Sequence, residues 1–249
     1  MKHLSGKICF LGLSILIALS GCSSETQATQ KEAKMENSQL IYTLPAPKTE
    51  GNVSVEKALA NRRSQRQFQN KALSAEQLSQ ILWSAYGITN PINNPALRGG
   101  LRTAPSAGAL YPLEIYVAVG NVAGIEAGLY KYISQENKII RTIDRDVRRE
   151  LSAAALNQGM IREAPVTVIY TALFGRLTER YGDRSERYAF MEAGHSAQNI
   201  YLQAEALGLG TCAVGAFQDD RVSGLLRLPK EERPLYLMPV GYFTAITND

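Results

Sequence analysis

Residues 187–217, RYAFMEAGHSAQNIYLQAEALGLGTCAVGAF, constrain this chain more than any other stretch. Phe190, Ala193, Ala197, Ile200, Tyr201, Ala204 and Leu207 recur at intervals of three and four, the spacing that lines one side of a helix. With no proline to interrupt it, the first part predicts a helix of about twenty residues. Ala189, Met191 and Ala206 widen the apolar stripe, which predicts burial on most sides. The small residues Ala193, Gly194, Ser196 and Ala197 let another helix or a ligand come close. Gly208 and Gly210 stop the helix, since glycine is favoured just past a helix end. Residues 211–217 form a short apolar run and predict an interior strand. A helix that delivers a glycine-rich turn and a strand brings bare backbone against a flat ligand, without naming that ligand.

The rest of the chain sets the context. Lys2, His3 and Lys7 precede a short apolar run, residues 8–19, too short to span a bilayer comfortably. It ends in Leu19-Ser20-Gly21-Cys22, a pattern that resembles a bacterial lipoprotein signal. The resemblance implies a signal peptide at 1–21 and lipid on the Cys22 sulfur. The protein would then be anchored to a membrane of the bacterial envelope and face the extracytoplasmic side, without spanning. An ordinary secretory signal or an uncleaved anchor are the alternatives. Residues 23–39 are polar and read as a flexible tether, and 41–44 as a short strand or a segment lying on the domain, with 22–50 assigned to the tether and one globular domain to 51–249. Of the three cysteines, Cys9 leaves with the signal and Cys22 is lipidated. Only Cys212 remains, so neither a disulfide nor a cysteine metal site is expected, and Cys212 reads as core. A net charge of +4 without a long basic run argues against nucleic-acid binding.

Ser54 and Ser74 are expected to cap helices at Val55–Asn61 and Ala75–Tyr86. Between them lies Arg62-Arg63-Ser64-Gln65-Arg66-Gln67-Phe68. It reads either as a solvated basic patch or as a phosphate clamp, because guanidinium forks match phosphate oxygens. Residues 87–100 read as a long loop. Residues 101–112, LRTAPSAGALYP, set tiny residues between prolines, as where backbone packs on something flat. Leu113–Val119 and Gly128–Ile133 predict a hairpin, residues 139–143 a further strand and 166–170 a central one. Asp144 is expected to cap a helix through Ala155. Residues 173–184 read as a lid or as the lead-in to the long helix. Asp219–Leu226 predicts a short helix, and 235–243 the last strand.

Three separated pieces together resemble the FMN-dependent nitroreductase superfamily. They are Arg62-Arg63-Ser64-x-Arg66-x-Phe68, Ala104-Pro105-Ser106-Ala107-Gly108-Ala109-Leu110-Tyr111-Pro112, and Glu205-Ala206-Leu207-Gly208-Leu209-Gly210-Thr211. The serine–alanine–glycine run is most similar to the SagB-type dehydrogenase branch, which includes azoline oxidases of peptide natural products. The resemblance implies an α+β fold, a mixed, mainly antiparallel sheet flanked by helices, and a homodimer with FMN at the subunit interface. It implies that Arg62, Arg63, Ser64 and Arg66 hold the phosphate and ribityl chain. Pro105, Ser106, Ala107 and Gly108 would line the ring, often from the partner subunit. Gly208, Leu209, Gly210, Val214 and Gly215 would face its other side or polar edge, with Gln198 and Asn199 as weaker candidates.

No catalytic side chain is implied, since the chemistry belongs to the flavin, with NAD(P)H a transient donor. His195 is expected to be a satisfied helix residue rather than a base. Residues 241–249 carry no Lys or Arg, although many nitroreductases place one there. The phosphate would rest on the arginines near residue 64, or on Arg227. The expected activity is hydride transfer to a small acceptor such as a nitro compound or quinone, or dehydrogenation of a heterocycle. A lipoprotein that binds flavin without turnover is the rival reading, and a structural surface protein a third.

Overall fold

The seventh strand, Val166–Leu173, is buried at every position but its last, as the apolar run VTVIYTAL suits the middle of a sheet. The computed structural model describes residues 40–244. Its strands are β1 (Ile41–Thr43), β2 (Ile88–Pro91), β3 (Gly100–Arg102), β4 (Leu113–Val119), β5 (Gly128–Ile133), β6 (Lys138–Ile143), β7, β8 (Gly210–Thr211) and β9 (Glu232–Gly241). Seven of them form one sheet in the order β1-β6-β5-β4-β7-β9-β8, and β2–β3 form a separate hairpin. Every ladder in the large sheet is antiparallel, while Ser64 and Thr211 form an isolated parallel bridge.

The helices are α1 (Val55–Asn61), α2 (Ala75–Tyr86), α3 (Arg148–Ala154), α4 (Gly159–Glu163), α5 (Gly175–Tyr181), α6 (Ser185–Ala206) and α7 (Asp219–Leu226). The period-two alternation of the strands divides the core. Leu113, Ile115, Val117, Val166, Val168 and Tyr170 face one side, where α2 and α6 pack. Tyr116, Ala118 and Ile169 face the other, against α3, α4 and α7. Ser74 accepts from the Gln77 amide, and Gln77 reciprocates to the Ser74 amide, closing a capping box at α2. Ser54 caps α1 through the Lys57 amide.

α6 is the axis of the molecule, 22 residues long. The small residues of its inner face serve contact with α2: Ser196 Oγ donates to the Ala85 carbonyl at 2.5 Å. Burial covers that face only. Phe190 and Met191 are 51% and 52% exposed, and Gly194 has open space where a Cβ would stand.

Several expected boundaries move. β1 pairs with β6 and Leu44 is buried, so the folded unit takes in residues that were expected to belong to a tether ending at 50. Residues 87–102 are a hairpin rather than a loop. α3 starts at Arg148, whose amide is taken by Asp146 Oδ1, and not at Asp144. The strand expected at 211–217 shrinks to Gly210–Thr211, with Val214 making an isolated bridge to Leu237. The signal sequence, Cys22 and the tether at 23–39 lie outside the described residues. Among those described, no helix is long and apolar enough to cross a membrane.

Candidate functional site

Arg62 ends α1, its amide bonded to the Ala58 carbonyl, and the arginine-rich segment then runs across the turn that follows α6. Gln65 N–H donates to the Thr211 carbonyl at 2.9 Å. Tyr201, on the last turns of α6, ties the two together. Its hydroxyl accepts from the Ala213 amide at 2.8 Å and lies 3.0 Å from Ser64 Oγ. With an oxygen lone pair occupied by Ala213, the Tyr201 proton is available to Ser64. The Arg62 guanidinium stands 5.4 Å from the centre of the Tyr201 ring. Arg63 folds back onto the Ala60 and Arg62 carbonyls, and Arg66 is exposed. None of the three arginines has an ion-pair partner among the described residues.

The glycines of the turn have different reasons. Gly208 has φ 67°, the left-handed conformation that ends α6. A Cβ on Gly210 would lie 2.6 Å from Gln65 Cβ, so the arginine segment docks only because no side chain is there. Leu209 is core and offers only backbone. The amides of Gly208 and Leu209 are taken by Glu205 and Ala204 carbonyls, and that of Val214 by Leu237. Gly215 is exposed and edges a cavity of about 290 Å³ shared with Phe190, Ala193 and Tyr236. Cys212 is buried against Met160, and burial raises its thiol pKa, so it is core as expected.

Residues 105–108 gather elsewhere on α6. Ser106 Oγ accepts from the Tyr111 amide at 2.9 Å. Gly108 has φ 60°, and a Cβ there would stand 2.8 Å from Arg180 Nη1 and Tyr181 Oη. Ala109 and Tyr111 also have positive φ, a costly conformation for residues with a Cβ. Residues 175–181, expected as a lid or a lead-in, form α5 and support this loop through Arg180 and Tyr181.

The loop meets α6 at Glu192, which sequence reasoning missed. Glu192 is 2% exposed, and Tyr86 Oη donates to its Oε1. Burial raises its pKa to about 7, against the pull of the Ser106 and Tyr86 hydroxyls and of Arg102 and Arg176. The available signal was its place between Ala189 and Ser196 on the inward stripe, where a carboxylate is out of pattern. Ser106 anchors near Glu192 and Ser64 at Tyr201, nine residues on, or about 14 Å along the helix. The 105–108 loop and the arginine segment therefore meet one helix at two levels.

Other expectations change. Asn199 Nδ2 donates to the Thr103 carbonyl and is structural, while Gln198 is half-buried beside it. His195 lies on the exposed side of α6, not satisfied in the interior. Arg227 is the exposed, left-handed C-cap of α7, with no hydrogen bond or ion pair to the arginine segment among the described residues. No His, Cys, Asp and Glu cluster suited to a metal occurs among the described residues.

The model of the nitroreductase family matches residues 59–242, which takes in both halves of the site. The chain belongs to the nitroreductase family. It is 48% identical over 189 residues to a Methanocaldococcus jannaschii protein named as a nitroreductase, covering 76% of this chain and 91% of that one. It is 30% identical to the trifolitoxin-processing protein TfxB of Rhizobium leguminosarum, over 82% of this chain and 57% of TfxB. It is also 30% identical to the FMN reductase (NADPH) of Bacillus subtilis, over 43% of this chain and 49% of that protein. A crystal structure of a nitroreductase from Ralstonia eutropha superposes with a TM-score of 0.70 at 28% identity, covering 82% of this chain and 90% of that one. The nitroreductase-like α+β fold expected from sequence is thus the fold present.

Proposed function

We propose that this nitroreductase-family protein is an FMN-dependent oxidoreductase that moves hydride between a donor such as NAD(P)H and a small acceptor. The observation that carries the reading is the docking of the Arg62–Ser64–Arg66 segment onto the Gly208–Ala213 backbone through Tyr201. The residues fit a phosphorylated flat cofactor. Three guanidinium groups lack a carboxylate partner among the described residues, and the neighbouring Thr211 hydroxyl is buried without a hydrogen bond. Bound FMN supplies the hydride chemistry.

The chain's own residues bind and orient. Arg62 and Arg66 place positive charge where a phosphate would lie, with Arg63 adding charge from its carbonyl-tethered position. Ser64, held by Tyr201, presents its hydroxyl in the same turn. Among the backbone donors expected at the ring, Gly215 keeps a free N–H, because those of Gly208, Leu209 and Val214 are already used. The Ser106–Gly108 loop would cover the ring from the partner of a homodimer. Exposed Phe190 and Met191 beside the open Gly194 support a partner helix there. TfxB similarity supports a SagB-type branch and a heterocycle substrate. The Lys2–Cys22 pattern supports a lipid anchor on the extracytoplasmic side of an envelope membrane.

A second reading, flavin binding without turnover, is supported by one observation: residues 241–249 carry no Lys or Arg to complete the phosphate site. The absorption spectrum of the purified protein, before and after heat release of the chromophore, tests both. FMN near one equivalent per chain, bleached by NAD(P)H and restored by an acceptor, is the expected result. Retained FMN that no donor reduces would favour the second reading, and a colourless chain that takes up no FMN would overturn both.

A further inference from the structure

A second cavity, about 460 Å³, lies between the β2–β3 hairpin and the strands β4 and β5. Its wall holds four cations, Arg98, Arg102, Lys131 and Arg176, around one central carboxylate, Glu114. Arg98 Nη2 at 3.2 Å, Lys131 Nζ at 2.9 Å and Arg176 all share that carboxylate. Burial pushes Glu114 up, but Lys131 and Arg176 overcome it and hold the carboxyl below its ordinary pKa, so it stays charged. The remaining carboxylate on the wall, Glu136, is exposed and paired with Lys138 at 2.7 Å.

Arg102 has no ion pair among the described residues. It is 9% exposed and is fixed by the Tyr86 and Arg98 carbonyls and Ser134 Oγ. Its guanidinium sits 4.4 Å and 4.7 Å from the ring centres of Tyr86 and Tyr111. The Nε atoms of both Arg98 and Arg102 are buried without an acceptor. Arg98 is held in place by a left-handed backbone, φ 49° and ψ 45°, a conformation few arginines adopt without cause. Desolvation and the nearby Arg176 lower the Arg98 pKa, as expected where cations are crowded.

A buried guanidinium without an ion pair, beside three part-exposed cations that share one carboxylate, points to a missing anion. We propose that this cavity binds the oxyanion of a small molecule, a carboxylate or a phosphate monoester, between Arg98, Arg102, Lys131 and Arg176. Guanidinium forks and a lysine lining one cavity suit oxygen anions of that size. The site is coupled to the expected ring-lining loop. Arg102 precedes Pro105 by three residues, and Arg176 Nη1 donates to the Tyr111 carbonyl at 2.9 Å. The groups that meet the anion therefore also hold both ends of the loop.

Isothermal titration of the purified full chain with inorganic phosphate and with citrate, at constant ionic strength, tests the site. The expected result is a saturable event, one per chain, that survives Arg66→Ala and weakens at least tenfold in Lys131→Gln. Arg98→Gln, on a half-exposed residue, gives the same reading if Lys131→Gln melts early. Saturation by phosphate alone assigns a phosphate monoester, and by citrate alone a carboxylate. If neither anion saturates, if every event is lost in Arg66→Ala, or if both cavity variants bind like wild type, the proposal is overturned.

Discussion

The hydroxyls of Ser64 and Tyr201 lie 3.0 Å apart although 137 residues separate them in sequence. The same Tyr201 oxygen accepts the Ala213 amide, so one phenol holds the arginine segment and the glycine turn in register. Tyr201→Phe keeps the ring under Arg62 and removes both bonds. A hydrogen bond of about 1 kcal/mol corresponds to roughly fivefold, so FMN affinity is expected to fall about 5- to 25-fold with little change in fold. Quenching of FMN fluorescence on titration checks this, and unchanged affinity would detach Tyr201 from the site.

Arg66→Ala removes an exposed cation with no ion-pair partner among the described residues, held only by a long 3.5 Å bond to the Ser64 carbonyl, and is expected to cost little stability. A charge-assisted bond is worth about 1.5–3 kcal/mol, so FMN should bind roughly 10- to 100-fold more weakly. Riboflavin, which lacks the phosphate, should bind wild type and variant alike. Equal losses for both ligands would place Arg66 away from the phosphate. The FMN difference should also shrink in high salt, since Arg66 is exposed.

Glu192 gives the fold a dependence on pH with a definite sign. Its carboxyl titrates at about 7 when folded, against the ordinary value of 4.5. Between those values the folded chain holds a proton that the unfolded chain releases. The stability linked to that proton is complete below about 4.5 and is lost as pH rises through 7. Glu192→Gln removes this term. Urea unfolding at pH 5 to 8 should therefore show the variant gaining on wild type with rising pH, by on the order of 3 kcal/mol in total. Parallel curves would show that Glu192 is not held neutral.

Gly210→Ala brings a methyl group to 2.6 Å from Gln65 Cβ and 2.9 Å from the Phe243 ring. Overpacking of this kind costs about 1–3 kcal/mol, and here it also lifts the arginine segment off the turn. A lowered urea midpoint accompanied by loss of FMN affinity is expected. Normal FMN binding in the variant would show that the contact between the two segments is dispensable.

Gly194→Arg tests the outer face of α6. Nothing in the chain lies within 4 Å of a Cβ at this position, so a lone chain accommodates the side chain. If a second copy packs there, sedimentation velocity should show the dimer converted to monomer with the melting of secondary structure intact. A wild-type monomer, or a variant dimer, would remove this face from assembly.

Much of the architecture was legible because it rests on local chemistry. Ser54 and Ser74 announce their helices by capping, and the alternating or continuous apolar runs of β4, β5 and β7 announce strands. The β2–β3 hairpin was hidden because ITNP and GLR carry no alternating apolar pattern, being held by backbone pairing and the bond from Thr89 Oγ1 to the Leu101 carbonyl. The strand expected after Gly210 failed for a related reason. Apolar character at Cys212 and Val214 reflects burial, not a continuous ladder. In the site, the arginine and glycine segments were recognisable by composition, but Tyr201 looked like one more apolar helix residue. Nor did composition reveal Glu192 or the cations around Glu114, which come together only across the fold.

The arginine segment is fastened by residues that follow it at great distance. Gln65 bonds to Thr211, Gln69 to Tyr242, and the Thr244 amide to the Gln67 carbonyl. During synthesis, α1 and its arginines leave the ribosome early, and Tyr201, which receives Ser64, follows that serine by 137 residues. The anchor contacts are among the most non-local in the chain, the kind that form late because a long loop must close first. A nascent chain therefore exposes its cationic turn through most of translation, and any ligand of that turn would be captured only at a late stage of folding.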